Sequence, residues 1–90
     1  MDNGLLDPVT PGEILRDDFM KPLEVSINQL ARDIAVPSDR ISGIVNGKQG
    51  ITAETALRLE RYFGVEAQFW LNLQSEYDLR IMKRKIRYRY

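Results

Sequence analysis

Residues 26–48, SINQLARDIAVPSDRISGIVNGK, constrain the chain more than any other stretch. Ser26 is a helix-capping residue type, and Leu30, Ala31 and Ile34 recur behind it at helical spacing. Ala35, Val36 and Pro37 then break the repeat, because a residue before proline is biased out of the helical region. Ile41, Ile44 and Val45 make a second apolar stripe, and Asn46-Gly47 stops it. The stretch predicts two short helices, from about Ile27 to Ile34 and from about Ser38 to Val45, joined by a tight corner. Pro37 and Ser38 both remain open as the first residue of the second helix.

Two helices at that spacing form a helix-turn-helix, whose second helix enters the DNA major groove. The flanks add three more helices. Thr10 can cap the first, Pro11 suits its first turn, and Glu13 completes a capping box. Ile14, Leu15, Phe19 and Met20 give it an apolar stripe, Arg16, Asp17 and Asp18 face outward, and Pro22 ends it at or before Lys21. Thr52 caps the fourth helix, which carries Ala56, Leu59 and Phe63 inward and stops at Gly64. The fifth starts near Glu66 and is the longest, reaching at least Leu79 and as far as Ile86. Beyond it Ile86, Tyr88 and Tyr90 alternate with Arg87 and Arg89. Period two leaves two readings of the tail: a frayed basic end, or a strand that pairs with a partner or sister chain.

Composition removes most chemistry. There is no cysteine and no histidine, so disulfides, most zinc sites and the Ser-His and Cys-His nucleophile pairs are absent. Glu13, Asp17 and Asp18 read as an acidic first helix near a positive N-terminus rather than as a metal or acid–base site. No catalytic residue, metal or cofactor is expected. No apolar run approaches the ~18 residues of a membrane span, and MDNGLLDPV lacks a basic n-region and a long apolar run, so the expected compartment is the cytoplasm. Net charge is zero but unevenly placed. Residues 1–78 hold seven basic and thirteen acidic side chains, a balance of −6, while residues 79–90 hold six basic ones and no acid. Such a body is not drawn to DNA by its overall field, so binding needs a local surface or a dimer that adds contacts. The acidic body also suits a basic protein partner.

With the helices placed, Leu30-Ala31, Val36, Ile41-Ser42, Ile44 and Asn46-Gly47 resemble the Xre/Cro-type helix-turn-helix family of phage repressors. Pro11-Gly12-Glu13-Ile14-Leu15, Val45-Asn46-Gly47-Lys48, Ile51-Thr52, Ala56-Leu57-Arg58-Leu59 and Phe69-Trp70-Leu71-Asn72-Leu73-Gln74 narrow this to a resemblance to the HigA/VapI-type antitoxins, over roughly residues 10–79. The Phe69 to Gln74 run is the most specific piece. The resemblance implies an all-α, five-helix, lambda-repressor-like domain over residues 1–90, with a long C-terminal helix and a short basic tail. It also implies a homodimer that binds double-stranded DNA at a palindromic operator in its own promoter, and that neutralises a small basic RelE-like toxin of the HigB type, an mRNA-cleaving ribonuclease. The pattern departs at three places. Ala35 stands where the turn commonly has glycine, which a turn without positive φ would accommodate. Ile27 replaces a glutamine that often contacts phosphate. Pro37 replaces the usual capping Ser or Thr.

The expected DNA contacts follow. Ser38, Asp39, Arg40, Ser42 and Gly43 lie on the outer side of the second helix of the pair. Arg can pair with guanine, Asp can accept from cytosine, and Ser suits either. Gly43 permits close approach of the backbone. Asn46, Lys48 and Gln49 follow it and can hold phosphates, with Gln29 and Arg32 as weaker phosphate candidates. Phe69, Trp70, Leu71 and Leu73 cannot all face one side of a helix, so Phe69, Trp70, Leu73 and Tyr77 are expected in a two-fold interface. The alternatives are a stand-alone phage-type or metabolic repressor without a toxin partner, and an interaction module that no longer reads DNA.

Overall fold

The computed structural model describes residues 8–87. Five helices follow in order: α1 Pro11–Ile14, continued by a π-helical segment Leu15–Met20, then α2 Ile27–Ile34, α3 Ser38–Val45, α4 Ala53–Phe63 and α5 Ala67–Arg87. No strand occurs among the described residues. The fold is all-α, as the periodicities imply. Among the described residues, no helix is long and apolar enough to cross a membrane.

The starts are local chemistry. The Thr10 side chain accepts from the Glu13 amide at 3.2 Å, and the Glu13 carboxylate accepts from the Thr10 amide at 2.9 Å, so the capping box is closed. Ser26 accepts from the Gln29 amide at 3.0 Å, and Thr52 from the Thr55 amide at 3.3 Å. The stops share one geometry. Residues with φ between +55° and +80° stand just after four helical segments: Glu24, Ala35, Gly47 and Gly64. At the first three, the amide of the next residue reaches back to close the turn: Val25 to Met20 O, Val36 to Ala31 O, and Lys48 to Gly43 O, at 2.8–3.0 Å. That is the Schellman arrangement, which satisfies carbonyls the helix leaves unpaired.

Two expectations about these helices are corrected. The first helix is not regular: it widens over Leu15–Met20, where Lys21 donates to Arg16 O at 2.9 Å, a reach of five residues. Buried Leu15 and Met20 are also five apart, and the wider turn lets both face the core. The C-terminal residues do not become a strand at Ile86. The helix runs to Arg87, so Ile86 and Arg87 are helical rather than extended. Tyr88, Arg89 and Tyr90 lie outside the described residues.

The core comprises Leu15, Leu30, Ile41, Ile44, Leu59 and Trp70, all essentially inaccessible, with Met20, Ala31, Ile34, Val36, Val45, Ile51 and Ala56 around them. Trp70 sits within an aromatic cluster, its ring centroid 4.7 Å from Phe19, 5.0 Å from Phe69 and 6.4 Å from Phe63. Trp70 is therefore interior to a single chain, and it leaves the set of residues that a second copy could touch. Phe69 and Leu73 are half-buried against this core, and Tyr77, further along α5, is half-buried too.

Candidate nucleic-acid interface

The outer surface of α2 and α3 is assembled by what their inner surfaces bury. Leu30, Ala31 and Ile34 pull one side of α2 into the core, leaving Asn28, Gln29 and Arg32 exposed. Ile41, Ile44 and Val45 do the same for α3. Its opposite side carries Asp39, Ser42, Gly43 and Asn46, spaced at i, i+3, i+4 and i+7, so they share one face. Ser38 and Arg40 flank that face and are exposed. Pro37 is the N-cap of α3, with φ −56° and ψ 141°, and no side chain caps the helix there. The first amides of α3 are thus left for water or a ligand.

The N-terminal ends of α2 and α3 open onto a common groove of about 360 Å³, lined by Ser26, Ile27, Asn28, Ser38, Asp39 and Ser42. Two helix N-termini at one groove place partial positive charge where an anionic backbone could lie. Asn28 is a groove residue that the sequence-based candidates omit. Its place two residues after the Ser26 cap is the signal that marks it.

The segment after α3 folds back on it. The Lys48 and Gln49 amides both donate to Gly43 O, at 2.8 and 3.1 Å. A methyl added at Gly43 would meet the Gln49 side chain at 2.6–2.9 Å. The space above Gly43 is thus taken by Gln49, which corrects the expectation that Gly43 opens the helix backbone to a partner. The Asn46 side-chain Nδ2 donates to Ser42 Oγ at 3.3 Å, linking two residues of the outer face. Lys48 and Gln49 are exposed.

Three contacts set the pose of this unit. Gly12 is buried against the end of α3, where an added methyl would overlap the Ile44 carbonyl and lie 2.8 Å from Val45 Cα. Arg58 of α4 donates to Ile34 O at 2.9 Å while pairing with Glu54 at 3.1 Å, so it closes the C-terminal end of α2. Tyr62 donates to Asp33 Oδ2 at 3.0 Å, and that bond to the carboxylate raises the phenol above its ordinary range. Gly12 and Arg58 stand in the motifs Pro11-Gly12-Glu13 and Ala56-Leu57-Arg58-Leu59, but their contacts join residues 24 or more apart in sequence. The corner itself differs from expectation. Ala35 has φ +59° and ψ +46°, so the turn does use the left-handed region despite lacking glycine.

The Helix-turn-helix family model matches residues 18–70. Virulence-associated protein I of Dichelobacter nodosus is 52% identical over 73 residues, covering 81% of this chain and 68% of the relative. Antitoxin HigA-1 of Vibrio cholerae is 35% identical over 72 residues, covering 80% of this chain and 68% of the relative. The solved structure of Pseudomonas aeruginosa antitoxin HigA with the higBA promoter is 50% identical, with a TM-score of 0.78, and the match covers 80% of this chain and 78% of that one. This chain spans about two thirds of the length of the two curated relatives. These likenesses take in more of the chain than the helix-turn-helix match alone. The chain belongs to the helix-turn-helix family and, within it, to the HigA/VapI-type antitoxins.

Proposed function

We propose that the chain is a homodimeric antitoxin that binds a palindromic operator in its own promoter, represses that operon, and neutralises a RelE-like mRNA-cleaving toxin by direct contact. The observation that carries the DNA half is the outer face of α3, held outward beside a groove lined by two helix N-termini, in a chain 50% identical to a HigA solved with promoter DNA. Ser38, Asp39, Arg40 and Ser42 face the bases, with Gln49 over Gly43; Asn46, Lys48, Gln29 and Arg32 hold phosphates. The acidic balance of residues 1–78 supports a small basic toxin as the protein partner.

The dimer face in this reading moves along α5. Leu79, Met82 and Ile86 are 56%, 50% and 42% exposed and lie at i, i+3 and i+7, one stripe on the distal part of the helix. A second copy packed there would bury that stripe and add a second α3, at about one DNA turn or ~34 Å from the first. The test uses the purified full chain, its own promoter fragment and the product of the neighbouring gene. Promoter binding with toxin co-purification supports the proposal; failure of both sinks it. Promoter binding without any toxin partner would instead select a stand-alone repressor.

A further inference from the structure

We propose that Gln74 of α5 is a positioning residue for DNA contact, holding the segment that follows α3 in the place from which Lys48 and Gln49 act. This rests on the DNA-binding reading above. Residues 46–50 carry Asn46, Lys48 and Gln49 and lead into Ile51, which is only 4% exposed. A buried amide needs a partner, and the Ile51 N–H donates to Gln74 Oε1 at 2.8 Å across 23 positions of sequence. Gln74 Nε2 donates to Asp78 Oδ1 at 3.0 Å, one turn along α5. The two bonds together define which way the amide points: reversed, it would set a donor against the Ile51 N–H and an acceptor against the Asp78 carboxylate. Gly50 lets the amide lie close, since a methyl there would stand 3.1–3.2 Å from Gln74 Cδ, Nε2 and Oε1.

The segment is therefore anchored at both ends. At one end the Lys48 and Gln49 amides hold Gly43 O; at the other, Gln74 holds Ile51. Releasing the second anchor leaves Lys48 and Gln49 held only through Gly43 O, and loosens them without touching α3 or its base-facing side chains. It also ties DNA contact to α5, the helix on which the second copy is placed. Gln74 does not itself touch DNA in this assignment.

The experiment compares the wild-type full chain with Q74L and Q74E. Ile51 amide exchange is followed by NMR in the free protein, and operator affinity is measured as a function of salt. Q74L removes the acceptor, so Ile51 exchange should accelerate roughly tenfold to a hundredfold. Operator affinity should fall for every operator sequence alike, and the slope of log affinity against log salt should shrink by about 0.9 for each phosphate that Lys48 or its neighbours release. Q74E keeps the acceptor for Ile51 but sets a second carboxylate oxygen against Asp78, so its Ile51 protection should lie between those of Q74L and wild type. If Q74L does not fold, Q74N, whose amide falls a methylene short, carries the same expectations. Unchanged Ile51 exchange in the leucine variant, or faster exchange with unaltered affinity and slope, overturns the assignment while operator binding by wild type stands. Wild type that binds no operator overturns the DNA-binding reading and this assignment with it.

Discussion

Ala35→Gly tests the corner of the helix-turn-helix. Ala35 occupies the left-handed region at φ +59°, where a Cβ crowds the following carbonyl. That conformation costs an L-residue about 1–2 kcal/mol, and glycine escapes it. Glycine also makes the unfolded chain more flexible, which returns about 0.4–1 kcal/mol to the unfolded state. Ala35 is exposed, so losing its methyl removes little packing. The net expectation is a gain of roughly 0.5–1 kcal/mol, or an increase in Tm of about 2–8 °C for a domain of this size. Thermal unfolding followed by circular dichroism checks this, with protein concentration held constant because a dimer's Tm depends on it. Urea titration should show a higher midpoint with an unchanged slope. Ala35→Val should move both in the opposite direction, since a β-branched residue fits that region worse. An unchanged or lowered Tm in the glycine variant would refute the reasoning, and would mean that the corner stores no relievable strain.

Gly12→Ala should destabilise the domain by about 3 kcal/mol or more, because the new methyl meets backbone at Ile44 and Val45 that cannot swing aside; chemical denaturation measures it, and a loss under about 1 kcal/mol would show that α1 has room to move. Arg40→Ala should weaken operator binding by about 1–3 kcal/mol and relax discrimination at one base pair, which a panel of single-base operator changes would detect; equal loss on every sequence would make Arg40 a phosphate contact. The Asp17 carboxyl is held down to about 2 from 3.8, first by the hydrogen bond from Arg16 and with Lys21 helping. Its folded value lies below its unfolded one, so its contribution to stability is present above about pH 4 and is lost as pH falls through about 2. An NMR titration of the carboxyl should show the low midpoint, and Arg16→Ala should move it upward.

Much of the fold was legible because it is written in short-range chemistry. The Thr10–Glu13 box, the Ser26 and Thr52 caps, and the Gly47 and Gly64 stops each involve residues a few positions apart. Their hydrogen bonds form inside one turn, so residue type at fixed spacing suffices to place α2, α3 and the ends of α4. The candidate DNA-facing residues were legible for the same reason: once Ile41, Ile44 and Val45 are assigned inward, helical geometry sends Asp39, Ser42, Gly43 and Asn46 outward.

What sequence alone determined, then, is the identity and spacing of the helices and the outer face of α3. Tertiary structure decided the rest. The aromatic cluster around Phe19, Phe63 and Phe69 took Trp70 inside the chain and left Leu79, Met82 and Ile86 as the exposed apolar stripe. Burial of both Leu15 and Met20 accompanies the widening of the first helix into a π segment. Arg58 on Ile34 O, Gln49 over Gly43 and Gln74 on Ile51 N–H all set the pose of the outer face. Two of these three bridge residues more than twenty positions apart, and every one depends on where a neighbouring segment comes to rest. Spacing along the chain carries no record of such meetings, because they exist only after the helices have packed and brought distant groups within reach of one another.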